Sequence, residues 1–124
     1  MNNIKIICFD LDNTLCKTTK NNYYKSTPIK KNIRILNKLY ESGYMIKIFT
    51  SRFMGRSKEN SSKAKKMGYN LTVKQLKKWN VKYHKLIIGK PSYDLIIDDK
   101  AYGYDNKWTN KLLKIIKRKN NHEK

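Results

Sequence analysis

The chain has 124 residues, 39% of them apolar, which is enough for one core and too few for two separate ones. No stretch reaches the roughly 20 consecutive apolar residues of a membrane span, and Met1-Asn2-Asn3-Ile4 lacks the basic start and long apolar run of a secretory signal. The formal charge is +20, yet Lys, Asn, Ile and Tyr supply 62 of the 124 residues and only four of the 29 basic residues are Arg. All four amino acids have AT-rich codons, so genome bias explains the charge better than selected nucleic-acid binding, and weak attraction to polyanions follows either way.

In chain order, Ile4 to Phe9 is a short, almost continuous apolar run that suits a buried parallel strand. It ends in Asp10-Leu11-Asp12-Asn13-Thr14. Lys17 to Ser26 is polar and reads as a loop or flap carrying Tyr23 and Tyr24, at least one of which is expected to pack on the core. Thr27-Pro28 reads as a helix start, with Thr as N-cap and Pro at the first helical position. Ile29, Ile33, Leu36 and Tyr40 recur at helical spacing, and Gly43 supplies the stop. Tyr44 to Phe49 is a second strand, ending at Thr50.

A loop with Arg52, Gly55 and Arg56 follows. Ser62 to Met67 is helical in composition, Gly68 reads as a break, and Thr72 as the cap of a further helix. Lys85 to Ile88 is a third strand, followed by Gly89-Lys90-Pro91. Leu95-Ile96-Ile97 reads as a fourth, ending in Asp98-Asp99. Leu112 to Ile116 fits a closing helix, and residues 120–124 a disordered tail.

Strands alternating with helices predict an α/β fold: a Rossmann-like parallel sheet with helices on both faces, in a single domain of residues 1–119. Ligand sites of such sheets lie beyond the carboxyl ends of the strands. Asp10, Thr50, Lys90 and Asp98 each follow a predicted strand. Cys8 is expected to be buried and inert. Cys8 and Cys16 have no metal-type spacing and do not suggest a disulfide scaffold, so a reduced, cytoplasmic setting is the default. His84 and His122 have no partner at metal-ligand spacing.

Asp10-x-Asp12-x-Thr14 is not a calcium loop, because Leu15 and Asn21 stand where that loop needs Gly and Glu. Asp10 with Asp98-Asp99 offers oxygen ligands for a hard divalent cation, for which magnesium fits best. Such a cation lets a carboxylate approach a phosphate ester. Lys90 supplies a point charge for phosphoryl oxygens and Thr50 a hydroxyl.

Phe9-Asp10-Leu11-Asp12-Asn13-Thr14-Leu15 resembles the first motif of the haloacid dehalogenase superfamily. Ile46-Lys47-Ile48-Phe49-Thr50 resembles the second, Lys90 the third, and Leu95-Ile96-Ile97-Asp98-Asp99 the fourth. They occur in the family's order. The stretches from Thr50 to Arg56 and from Gly89 to Asp94 also look like small phosphatases of capsule and surface-polysaccharide gene sets.

The resemblance implies a magnesium-dependent phosphomonoester hydrolase. Asp10 would attack phosphorus and form an aspartyl-phosphate. Asp12 would serve as general acid, then base. Thr50 and Lys90 would bind the phosphoryl group. Asp10, the Asp12 carbonyl and Asp98 would hold magnesium, with Asp99 as an alternative ligand.

The gaps between motifs are too short for a cap domain, so the site is expected to be open, or covered by a second subunit. Arg52, Arg56 and Ser51, beyond the second motif, are candidates for substrate contact, with a solvated loop equally open for the two arginines. Thr14 is a candidate too, with a turn hydroxyl as the equal alternative. The expected substrate is a small phosphorylated metabolite, a sugar phosphate of polysaccharide or lipopolysaccharide biosynthesis. The alternatives are a nucleic-acid 3′-phosphate and a non-catalytic binding module of the same fold.

Overall fold

Three strands, β1 (Ile6–Phe9), β4 (Met45–Thr50) and β5 (Lys85–Ile88), form a parallel sheet in the order β1-β4-β5. The computed structural model describes residues 4–103, 105 and 107–122, without the side chains of 118–122. These residues form two units. One is residues 6–92; the other joins the residues up to Lys5 to those from Tyr93 onward.

In the larger unit, helix α1 (Lys30–Glu41) connects β1 to β4 and packs on β4, while α2 (Ser61–Lys78) connects β4 to β5 and packs on β5. Parallel neighbours require such crossovers, and the helices cover the sheet. The burial of β4 alternates: Ile46, Ile48 and Thr50 are buried, while Met45, Lys47 and Phe49 are not. Between β1 and α1 a small antiparallel ribbon forms from β2 (Cys16–Lys17) and β3 (Thr27–Pro28), enclosing one 3-10 turn, Tyr23–Lys25. Tyr23 is buried against Phe53, ring centroids 4.8 Å apart, and Tyr24 is exposed.

The predicted parallel α/β architecture is present, with four local differences. Thr27-Pro28 does not open a helix: its backbone pairs with Cys16–Lys17, and α1 starts at Lys30. Cys8 is exposed, because β1 is an edge strand and Cys8 pairs in register with Lys47 on the less covered face. Gly68 does not break a helix, since α2 runs unbroken from Ser61 to Lys78. Leu95 to Ile97 form no strand and are exposed. Among the described residues their own unit holds no other strand, and a lone strand leaves its N–H and C=O groups unpaired.

The smaller unit contains α3 (Trp108–His122), which covers the predicted closing helix and continues to His122. Asp105 precedes it: its carboxylate accepts the Lys107 N–H at 2.7 Å and meets the Lys111 ammonium. Residues 123 and 124 of the predicted tail, like Met1 to Asn3, lie outside the described residues.

Gly68 is retained mid-helix by packing. A Cβ there would sit 2.3 Å from Cδ2 of the buried Phe53 ring. Gly68→Ala gains about 1 kcal/mol of helix propensity but overpacks the core, which costs about 1–3 kcal/mol. Chemical denaturation is expected to show a net loss of stability; a more stable variant would mean the ring moves aside freely.

Candidate active site

β1 ends at Phe9 and the chain turns at once. The Leu11 carbonyl accepts the N–H groups of Thr14, Leu15 and Cys16, and Asn13 takes the left-handed φ of 62° that Asn tolerates better than most residues. Asn32 on α1 donates to the Thr14 carbonyl at 2.8 Å and ties the turn to the helix. The turn presents Asp10 to solvent, with 40% of its side chain exposed. The Thr14 hydroxyl donates to Asp10 Oδ2 at 3.1 Å, so Thr14 orients the carboxylate.

The carboxyl ends of β4 and β5 bring Thr50 and Lys90 to the same edge. The Thr50 carbonyl accepts the N–H groups of Gly89 and Lys90. Lys90 is thereby directed back to β1, and its Nζ lies 3.5 Å from Asp10 Oδ1. The Thr50 hydroxyl, 1% exposed, accepts the Arg52 N–H at 3.1 Å and keeps its own O–H to donate. Three predicted site residues from sequence positions 40 apart thus meet at one sheet edge.

Asp12 occupies a different environment. Its carboxylate accepts Arg52 Nε at 3.1 and 3.0 Å and a terminal Arg52 nitrogen at 2.9 Å. Thr18 donates to it at 2.6 Å. Arg52 is fully buried, so its guanidinium faces Asp12 and not an incoming ligand. Gln75 and Thr72 on α2 accept from its other terminal nitrogen at 2.5 and 3.3 Å, and Ser26 accepts at 3.2 Å. Arg56 is exposed. It donates to the Asn21 carbonyl at 2.7 Å and lies over the Tyr23 and Phe53 rings. Ser51 is half-buried next to Arg52.

Asp98 and Asp99 belong to the smaller unit and are exposed. Asp98 closes a turn there, its carboxylate accepting the Lys100 N–H at 2.8 Å. Within the larger unit no three His, Cys, Asp or Glu side chains form a metal-holding group among the described residues. What that unit offers is hard oxygen: the Asp10 carboxylate and the adjacent backbone. Such donors suit magnesium, which keeps waters and shares substrate phosphate.

No local sequence pattern marks Thr18, Ser26, Thr72 and Gln75 as site residues. Thr72 and Gln75 carried a signal: with Gly68 they share the buried face of α2, where a polar side chain needs a partner. The partner, Arg52, lies 20 and 23 residues away. Likewise His84 is a strand-end residue whose Nδ1 accepts the Ile46 N–H at 3.0 Å and whose ring stacks on Tyr40.

No protein-family model matches the chain, and no curated protein does. Solved structures do. The crystal structure of an MCSG target protein from Vibrio cholerae superposes with a TM-score of 0.79 at 24% identity, over 93% of this chain and 98% of that one. A chain of the Pnkp1/Rnl/Hen1 complex superposes at 0.51 with 21% identity, over 88% of this chain. A chain of the Pnkp1/Rnl/Hen1 RNA repair complex gives 0.50 and 19% over 90%. This chain spans about a third of those two. At these identities the likeness is one of fold.

Two outcomes follow from the Asp12–Arg52 pair. Arg52→Met keeps volume but strands a carboxylate. Denaturation is expected to show a loss of about 3 kcal/mol, the low end for breaking a buried pair, because 20% of the Asp12 side chain stays exposed. Cys16 is buried beside Asp12, and burial with that negative charge pushes its thiol up to about 11. At pH 8 roughly one molecule in a thousand carries the thiolate. A Cys8→Ser variant should therefore resist alkylation when native and react readily in denaturant; fast native labelling would refute this burial.

Proposed function

We propose that the protein is a phosphomonoester hydrolase of the haloacid dehalogenase type, removing a terminal 3′-phosphate from a nucleic-acid strand. The carrying observation is the Asp10 carboxylate, open to solvent and 3.5 Å from the Lys90 ammonium at the carboxyl edge of a parallel sheet. A bare carboxylate is repelled by a phosphate dianion. An adjacent ammonium offsets that repulsion and holds phosphoryl oxygens.

In this reading an Asp10 oxygen bonds to phosphorus as the ester P–O bond breaks. Asp12, entering the cycle protonated, gives that proton to the departing alkoxide. Asp12 then takes a proton from water, whose oxygen attacks phosphorus. The bond from phosphorus to Asp10 breaks, and phosphate leaves. Lys90 and the Thr50 O–H bind the phosphoryl oxygens throughout. Arg52 keeps Asp12 in one orientation. Magnesium, for which the Asp10 carboxylate and the Asp12 carbonyl would be the holding groups within the larger unit, would screen charge between carboxylate and phosphate.

One finding supports the nucleic-acid substrate, the fold shared with a component of an RNA repair complex; the charge of +20 adds only a weak attraction to polyanions. No structural finding supports a sugar phosphate of polysaccharide synthesis.

A magnesium-dependent screen over sugar phosphates, nucleotides and 3′-phosphorylated oligonucleotides tests the proposal. Wild-type turnover should be fastest on the oligonucleotides, vanish with chelator, and fall roughly a thousandfold or more in Asp10→Asn. Equal rates in the two proteins would discard the mechanism. Asp12→Ala should lose about 10²–10⁴-fold on alkyl phosphates and less on p-nitrophenyl phosphate, whose leaving group needs no proton.

A further inference from the structure

Between Glu59 and Asp94 the chain carries no acidic residue. Helix α2 occupies half of that span. The lysines of the chain look evenly scattered in the linear sequence, but on α2 the helical period lines several of them up. At 100° per residue, Lys63, Lys66, Asn70, Lys74 and Lys77 fall within one narrow stripe. All five are exposed. From Lys63 to Lys77 the stripe runs about 21 Å at 1.5 Å per residue. The opposite face, with Ala64, Gly68, Thr72 and Gln75, is buried.

Beside the stripe lies an aromatic surface. Ser62, Lys65, Lys66, Tyr69 and Asn70 line a shallow groove of about 380 Å³. The Tyr69 ring is half-buried, backed by the cluster of Tyr23, Phe53, Met54, Ala64 and Ile88, with the Lys65 ammonium 5.5 Å from its centroid. A fixed ring next to a row of cations is the combination that binds single strands: the ring stacks on a base while the cations follow the phosphates.

The stripe also leads somewhere. The first residue of α2, Ser61, packs against Gly89, its Cβ 3.0 Å from where a Gly89 Cβ would stand, and Gly89 precedes Lys90. Glu59, two residues before α2, accepts the Ser92 N–H and hydroxyl at 3.0 and 3.2 Å. The amino end of the helix is thus fastened to the segment that delivers Lys90.

We infer that the outer face of α2 is a track for single-stranded nucleic acid, guiding its phosphorylated end to Asp10 and Lys90. The inference rests on the phosphatase reading for the end it delivers, but not for the track itself. What is recognised is a phosphodiester backbone with unpaired bases, common to RNA and DNA.

The test is fluorescence anisotropy with 3′-phosphorylated 12-mers, ribo and deoxy, from 50 to 200 mM salt, alongside p-nitrophenyl phosphate turnover. The α2 variant is Lys66→Gln/Lys74→Gln/Lys77→Gln. The control, Lys30→Gln/Lys31→Gln/Arg34→Gln, removes the same charge from exposed positions of α1. The α2 variant should lose tenfold or more in affinity, and its log–log salt slope should shrink by about 2, since each neutralised phosphate contact on a single strand contributes about 0.7. The control should lose under threefold. Both should keep wild-type turnover of p-nitrophenyl phosphate. Tighter binding of RNA would name RNA as the ligand; equal binding would mark a reader of the backbone. Equal losses in the two variants, or heparin binding as tightly and with the same α2 dependence, would overturn the track in favour of plain charge attraction. Absent turnover with α2-dependent binding intact would instead remove the phosphatase reading and leave the track.

Discussion

One guanidinium joins four parts of the chain. Arg52 leaves the end of β4, is fully buried, and meets Asp12 in the turn after β1, Ser26 ahead of β3, and Thr72 and Gln75 on α2. Burying a cation is costly unless it is paired and its N–H groups are satisfied. Here a carboxylate, two hydroxyls and an amide oxygen do so. The arrangement only works when the turn, the small ribbon, the loop after β4 and the helix are all in place. It therefore specifies how these parts stand against one another more than it adds to net stability.

That constraint separates two carboxylates only two residues apart. Asp10 is open to water, with a hydroxyl and an ammonium for company; Asp12 is clamped by Arg52 and Thr18. Under the proposed hydrolase reading the difference has a use, since a nucleophile needs access and a proton carrier needs a fixed direction. The strand geometry supplies the difference. The chain leaves β1 at the sheet edge, where Asp10 faces out, and Leu11 then turns inward and is fully buried. The next residue, Asp12, meets Arg52 of the loop after β4.

Much of this was legible in the sequence, because strands and helix faces are written in local periodicity. The apolar runs end where the strands end, at Phe9, Thr50 and Ile88, so local pattern alone puts Asp10, Thr50 and Lys90 at strand ends. Chain-distant partnerships were not legible. Thr27-Pro28 has the chemistry of a helix start, yet pairing with Cys16–Lys17 claimed its backbone first. Arg52 looked like a loop residue free to greet a ligand, because nothing nearby in sequence announces Gln75 as its partner. Gly68 looked like a break, because the ring that requires it belongs to Phe53, fifteen residues earlier. Leu95 to Ile97 has the composition of a strand but forms none, since a strand needs a neighbour as well as a composition.

The contact between Gly68 and Phe53 ties the fates of two positions together. A side chain at 68 is penalised while 53 keeps its ring, and a smaller residue at 53 frees 68 to become alanine and strengthen the helix. The two sites should thus drift as a pair: each single change is penalised, while the double replacement exchanges an aromatic anchor for a better helix. The same pairing offers a way to tune the seat of the Arg52 loop against α2 without altering Asp10, Thr50 or Lys90.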